Sequence, residues 1–198
     1  ENIQFSEGKS MEGLIIQKPI PSRSLPGWLR GEVSVQDLGA QYAAPLLMNA
    51  LSKNTNNPTI LDGCAAPGGK LSHLNEILAS KFKDYRIIAI EKSPERLETT
   101  RKLVKRSQRE EIENISFIEA DSAEPLKQIN FECDAIMLDA PCSGSGTIRR
   151  NPDIRILFDP RELESKSKFQ IQFLQNLWQS LRCGGNLLYV TCSIFYEE

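Results

Sequence analysis

Ile60-Leu61-Asp62-Gly63-Cys64-Ala65-Ala66-Pro67-Gly68-Gly69-Lys70 decides the fold. From Thr59 to Asp62 the residues form a short apolar strand. Small residues and glycines then give a tight turn, and Leu71, Leu74, Ile77 and Leu78 recur at helical spacing over Lys70 to Lys81. Outward from this unit the same alternation repeats. Arg86-Ile87-Ile88-Ala89-Ile90-Glu91 reads as a second strand, and a helix follows from Pro94, a residue suited to a first helical position. Ile115 to Ala120 and Cys133 to Asp139 read as the third and fourth strands. A long helix spans about Glu162 to Leu181, before Gly184-Gly185, and Asn186 to Cys192 is the fifth strand. Continuous apolar strands separated by amphipathic helices predict an α/β fold, a mostly parallel sheet with helices on both faces.

Upstream, residues 36–53 carry a helical pattern in Leu38, Tyr42, Leu46 and Leu47, with Pro45 placed to kink or divide it. Residues 1–33 hold Pro19, Pro21 and Pro26 among Gly8, Gly13, Gly27 and Gly31, with Leu14-Ile15-Ile16 as one short strand. They read as the tail of a preceding module or a linker, and residues 34–198 as the main unit. The chain begins at Glu1 rather than Met and stops at Glu198 just after its last motif, so it reads as a fragment of a longer protein.

Composition narrows the function. The 198 residues carry a formal net charge of −2, so any nucleic-acid binding falls to a local basic surface rather than to the whole chain. Five cysteines without a C-x-x-C pair, and a single histidine, argue against a zinc site and for reduced cytoplasmic thiols. Cys64, Cys133 and Cys183 read as ordinary, mostly buried thiols. No apolar run approaches the ~20 residues of a membrane span.

Ligands of open parallel sheets bind at the carboxyl ends of the strands. Asp62, Glu91, Asp121, Asp139 and Cys192 all fall there. Gly63 to Lys70 is not a phosphate loop of the G-x-x-x-x-G-K-[ST] kind, because Gly69 stands where the lysine belongs, and it is not G-x-G-x-x-G, because Ala65 replaces the second glycine. What remains is a turn whose Gly68 and Gly69 let backbone approach a ligand. Glu91 follows it at about the 20-residue offset of a ribose-binding acid, and Asp121 is placed to meet an adenine edge. A pocket lined by carboxylates suits a cationic sulfonium, which favours S-adenosylmethionine over NAD or ATP.

Two cysteines carry the chemistry: Cys142 in Leu138-Asp139-Ala140-Pro141-Cys142-Ser143 and Cys192 in Val190-Thr191-Cys192-Ser193. The stretch between Asp139 and Cys192 leaves room for one crossover helix, so the two strands are expected as neighbours ~4.8 Å apart, with their ends sharing one pocket. A thiol, a second thiol and a rigidly held carboxyl are the equipment for covalent chemistry on a pyrimidine ring. Arg149, Arg150 and Arg155 follow the Cys142 loop and are candidates for RNA phosphates. His73, on the first helix, reads as a surface or satisfied side chain.

These motifs, with Val35-Gln36-Asp37, Ala40-Gln41 and Arg149-Arg150-Asn151-Pro152-Asp153, resemble the Sun/Fmu family of RNA cytosine-5 methyltransferases, and most closely its small-subunit ribosomal RNA enzymes of the RsmB type. The likeness covers about residues 31–198. It implies a Rossmann-like S-adenosylmethionine-dependent methyltransferase fold whose last strands lie beyond Cys192. Cofactor contacts are implied at Cys64, Ala65, Ala66, Pro67, Gly68, Gly69, Lys70, Glu91, Asp121 and Asp139. Cys192 is implied as the nucleophile, and Cys142 as the group that helps release product. Asp139 would hydrogen-bond ring nitrogen 3. The expected substrate is 16S ribosomal RNA, single-stranded or with the base flipped out, and the expected enzyme is a cytoplasmic monomer without a metal. This sequence departs from the family at Gly63, where a bulkier apolar residue is commoner, at Glu91, where Asp is frequent, and at Tyr196, where Pro often stands. Two other readings compete: a cytosine-5 enzyme attacking with Cys142, as DNA methyltransferases do from their Pro-Cys motif, and a non-catalytic RNA-binding scaffold of ribosome assembly.

Overall fold

A computed structural model describes residues 3–8, 13–52, 55–107, 112–126 and 132–198. Five parallel strands make the central sheet: β3 (Thr59–Asp62), β4 (Arg86–Glu91), β5 (Ile115–Glu119), β6 (Cys133–Asp139) and β7 (Leu181–Val190), after a small hairpin of β1 (Phe5–Glu7) and β2 (Leu14–Ile16). Their order is β5-β4-β3-β6-β7. The chain therefore winds outward from β3 in one direction and then crosses to build in the other. Between β3 and β6 lies the switch point where such sheets bind ligands.

Helices cover both faces. Ile60, Ile87, Ala89, Ala135 and Met137 point to one side. There they pack with Leu47 of α1 (Ala43–Ala50), with Leu71, Leu74 and Leu78 of α2 (Gly69–Lys81), and with Val104 of α3 (Pro94–Ser107). Leu61, Ile88, Ile90, Ile136 and Leu138 point to the other, onto Phe173 and Leu177 of the long second-half helix, Glu162–Trp178. Alternate residues of each central strand thus feed two cores, which is why the strands read as unbroken apolar runs. A four-residue turn, α4 (Ile154–Leu157), precedes that helix, which is α5. No helix among the described residues is long and apolar enough to cross a membrane.

Several boundaries differ from the sequence reading. Helix α5 stops at Trp178, and Leu181 already pairs with Cys133 in the sheet. The residues around Gly184 (φ 76°) form an irregularity in β7, not a helix end. Cys183 lies in it, exposed rather than buried. Strand β7 ends at Val190, so Cys192 stands two residues beyond it. Pro45 occupies the first turn of α1, where a missing N–H costs nothing, and the break in that segment falls before Ala43, at a short 3-10 turn. Leu14–Ile16 is not alone but pairs with Phe5–Glu7. Residues 28–33 are tied to α3: Arg106 donates to the Trp28 and Val33 carbonyls and stacks on the Trp28 ring at 4.0 Å.

Gly68 caps α2 at φ 104°, and a Cβ added there would lie 3.1 Å from Thr100 Cγ2. An L side chain at this φ is strained and the packed Thr100 leaves little room. Gly68→Ala is expected to lower stability by at least about 1–2 kcal/mol in urea denaturation. Gly69→Ala, with nothing within 4 Å of its Cβ, is expected to cost less than half as much.

Candidate active site

Register places the site. Asp62 lies opposite Met137 on β6, and Asp139 lies opposite Val190 on β7. Three adjacent strands thus deliver Asp62, Asp139 and the two cysteine loops to one sheet edge. They open on a cleft of about 790 Å³ that runs from Glu91 and Asp121, past Cys64 and Asp139, to Cys142 and Cys192.

The glycine-rich turn is fastened on both sides. Gly63 N–H donates to Met137 O at 2.9 Å and Ala65 N–H to Ile90 O at 2.9 Å, while Ser122 Oγ donates to Gly63 O at 2.6 Å. A Cβ on Gly63 would stand 2.6 Å from Leu177 Cδ1, so a bulkier residue at this position would require the Leu177 side chain to turn aside. Ala66-Pro67 is cis. Lys70, in the first turn of α2, reaches across to Asp139: Nζ donates to Oδ2 at 2.5 Å in a half-buried ion pair.

The carboxylates have different neighbours. Glu91 is buried; its Oε1 accepts the Ser93 amide at 3.0 Å and lies 3.6 Å from Arg96. Asp121 Oδ1 accepts the Ala123 amide, and Oδ2 pairs with Lys92 at 2.7 Å. Burial resists ionisation of Asp121, but Lys92 and the Ala123 amide outweigh it and hold its carboxyl below the usual range. An adenine edge would therefore have to share Asp121 with Lys92. Asp62 is 1% exposed and accepts only a long bond from the Cys64 amide, 3.4 Å. Burial first, and then the nearby charge of Asp139, push its carboxyl up to about 7. Burial and the same carboxylates push the Cys64 thiol well above its ordinary value.

At the other end the sulfurs of Cys142 and Cys192 are 3.3 Å apart. Two thiolates at that distance would repel by about 5 kcal/mol at an effective dielectric of about 20, before solvent screening. The pair therefore does not lose both protons together. A hydrogen bond from Cys192, against the cost of burial, draws the Cys142 thiol down to about 6, and the same bond pushes Cys192 up. Gln170 of α5 donates to the Pro141 carbonyl at 2.9 Å and supports the Cys142 loop from below.

Of the three arginines, Arg150 is paired with Asp37 at 2.7 Å, while Arg149 and Arg155 are exposed, and none of the three lines the cleft. His73 is half-buried on α2 and does not line the cleft. The sequence reading missed the titration of Asp62 and the serines that follow each cysteine, Ser143 and Ser193. Their repeated Cys-Ser pattern was the available signal.

Residues 48–198 match the profile described as 16S rRNA methyltransferase RsmB/F. The chain belongs to this family. It is 39% identical over 197 residues to the ribosomal RNA small subunit methyltransferase B of Shewanella oneidensis, covering 99% of this chain and 43% of that protein. To the probable ribosomal RNA small subunit methyltransferase B of Coxiella burnetii it is 38% identical, covering 92% and 41%. The chain thus spans about two fifths of the length of these curated relatives. Among solved structures it matches PH0851 with a TM-score of 0.86 at 29% identity over 99% of this chain and 42% of the other. It matches NSun6 from Pyrococcus horikoshii with SFG at 0.77 and 29%, over 96% and 47%. The expected methyltransferase fold is borne out by these matches and by the five-stranded parallel sheet with its flanking helices.

Asp62 gives this site a pH signature. Its pKa in the fold lies above that of an unfolded aspartate, about 3.9. The stability it contributes is complete below pH 4 and lost as pH rises through about 7. Asp62→Asn is expected to remove that loss. The urea midpoint of the wild type relative to the variant should fall between pH 4 and 8, and a constant difference would contradict the assignment.

Proposed function

We propose that this chain is the catalytic part of an S-adenosylmethionine-dependent RNA cytosine-5 methyltransferase acting on 16S ribosomal RNA through a covalent cysteine–cytosine intermediate. One observation carries the reading: two sulfurs 3.3 Å apart close one end of a cleft whose other end is lined by Glu91 and Asp121. A purely structural or RNA-binding role has no use for two hydrogen-bonded thiols that face a cleft. The names of the relatives, and NSun6 solved with SFG, support the same substrate and cofactor classes.

The residues fit a cationic cofactor. Glu91, Asp121 and Asp139 line one cleft of suitable size, with Asp62 buried next to the lining residue Cys64, and the space over Gly69 is open. The cofactor supplies an electrophilic methyl group on a sulfonium. Cys64, Ala65, Ala66, Pro67, Gly68, Gly69 and Lys70 form its backbone cradle, Glu91 its ribose acceptor, and Asp121 its adenine-side acceptor. Cys192 adds to carbon 6 of the cytosine as a thiolate, its proton leaving to solvent, while Cys142, drawn down to about 6, stays deprotonated beside it. Asp139 orients the ring at nitrogen 3, with the Lys70 ammonium at 2.5 Å as the proton source for that edge. Cys142 then takes the carbon 5 proton, and Cys192 leaves.

Arg149, Arg150 and Arg155 would hold phosphates, Arg150 by exchanging Asp37 for one. Ile156, Leu157 and Tyr196 are largely exposed on the same loops and offer stacking surfaces for unpaired bases. Residues 34–198 form the methyltransferase unit in this reading, and residues 1–33 belong with a preceding module. Five free cysteines fit a monomer working in the reducing cytoplasm.

A second reading is favoured by the low titration of Cys142: the thiolate rests there, so Cys142 itself attacks. The cysteine variants of the whole protein separate the two. Cys192→Ala is expected to reduce methyl transfer to 16S RNA by roughly a thousandfold or more with no adduct. Cys142→Ala is expected to accumulate a protein–RNA adduct on denaturing gels. The reverse pattern makes Cys142 the nucleophile, and full activity in both variants ends the covalent reading.

A further inference from the structure

Each reactive cysteine is followed by a serine, and the two serines meet. Ser143 Oγ lies 3.2 Å from Ser193 Oγ, and Ser145 Oγ completes a triangle at 3.1 Å from each. Ser143 donates to Ser145. Donation from Ser145 to Ser193 and from Ser193 to Ser143 then closes a ring in which every hydroxyl gives one hydrogen bond and accepts one. Backbone amides fill the remaining acceptor sites. Ser145 N–H donates to Ser143 Oγ (3.4 Å), Ile194 N–H to Ser145 Oγ (2.9 Å) and Phe195 N–H to Ser193 Oγ (3.0 Å). No hydroxyl in the ring lacks a partner, although Ser145 is 2% exposed.

The ring has backbone reinforcement. Gly146 N–H donates to the Cys192 carbonyl at 2.8 Å, so close that a Cβ on Gly146 would stand 2.6 Å from that oxygen. Ser143 N–H donates to Glu198 Oε1 at 2.8 Å. The loops carrying the two cysteines, about 50 residues apart in sequence, are thus held together by polar contacts beside the sulfurs, and farther along by Phe158 stacked on Phe195 at 4.8 Å.

We propose that the Ser143–Ser145–Ser193 hydroxyl ring is a latch that fixes the separation of the Cys142 and Cys192 sulfurs, making these serines positioning residues for the reaction. The inference rests on the cytosine-5 reading for its purpose but not for its geometry. While the latch is closed, the two sulfurs stay within hydrogen-bond distance, and Cys142, as the acceptor thiolate, stands ready as base. When the latch opens, each becomes an ordinary thiol with a pKa of about 8.5. The charged and titratable groups facing the pair are Asp139 and Lys70 at Cys192, with Glu198 and Tyr189 at Cys142. None is altered by removing a serine hydroxyl.

The test is alkylation of Cys142 by iodoacetamide as a function of pH in the whole protein, located by peptide mass spectrometry, for wild type, Ser145→Ala, Ser193→Ala and Ser193→Thr. The two alanine variants are expected to move the midpoint upward and slow alkylation at pH 6.5 by about tenfold or more. Ser193→Thr keeps the hydroxyl and is expected to restore the wild-type profile. S-adenosylmethionine binding by calorimetry reports that each variant is folded. Should Ser145→Ala not fold, the Ser193 pair decides. An unchanged midpoint in folded Ser193→Ala, or no rescue by Ser193→Thr, overturns the latch. The alkylation profile needs no RNA, so a latch that holds in a protein unable to methylate cytosine would refute the proposed function alone. Methylation by wild type with an unmoved profile in the variants would refute the latch alone.

Discussion

Parallel pairing of β6 with β7 is the contact on which the rest of the site depends. The two strands run in the same direction with Asp139 opposite Val190, so their exits lie side by side at one sheet edge. Cys142 follows three residues after Asp139, and Cys192 two residues after Val190. With loops this short, strand spacing of about 4.8 Å converts almost directly into closeness of the side chains beyond. A slip of one residue in this pairing would turn one cysteine toward the opposite face. Ile136, Leu138 and the α5 residues Phe173 and Leu177 resist that slip, because it would carry apolar side chains from one core to the other. Hydrophobic packing in the middle of the sheet thereby sets a sulfur–sulfur distance at its edge.

Electrostatics in the cleft follow from the same convergence. Carboxylates at the ends of adjacent strands repel one another unless each has a cation or loses its charge. Asp139 has Lys70, Asp121 has Lys92, and Glu91 has Arg96 nearby. Asp62 is the most buried of them and titrates near 7, since the fold does not supply it with a full counter-charge. Such a cleft has one carboxyl more than it has cations. That shortage suits a cationic guest better than a polyphosphate, and it is the physical link between the sheet topology and the proposed cofactor.

Much of this was legible in the chain itself. Strands β3, β4 and β6 are unbroken apolar runs because both of their faces are covered, and acids at their ends stand out against that background. The glycine-rich turn and the two cysteine motifs marked the cleft from end to end. The end of α5 did not show, because Leu181 belongs to the sheet through Cys133, a partner far away in sequence, and local glycine signals pointed elsewhere. The pairing of Arg150 with Asp37 was hidden for the same reason. Asp62 looked like another strand-end carboxylate. Its unusual titration depends on how deeply it is buried and on Asp139 next to it, neither of which a one-dimensional pattern records.

The serine ring divides labour between the base of the active loops and their rim. At the base, Gly146 brings one backbone within hydrogen-bond distance of the other where no Cβ would fit, and the hydroxyls of Ser143 and Ser145 bridge to Ser193 and Ile194. Larger side chains would hold the loops apart and leave each sulfur alone. On the rim the opposite holds, since Ile156, Leu157, Ile194 and Tyr196 extend into solvent beside Arg149 and Arg155. In the proposed reading, a flexible polymer with planar bases meets the adaptable rim, whereas bond formation at one carbon needs reacting atoms that do not wander. Directional hydrogen bonds suit the base because they fix distance and angle together, and apolar contact would suit a rim that must accept different bases. Small residues directly after each cysteine, with larger ones following in 148–157 and 194–196, are the sequence form of that division.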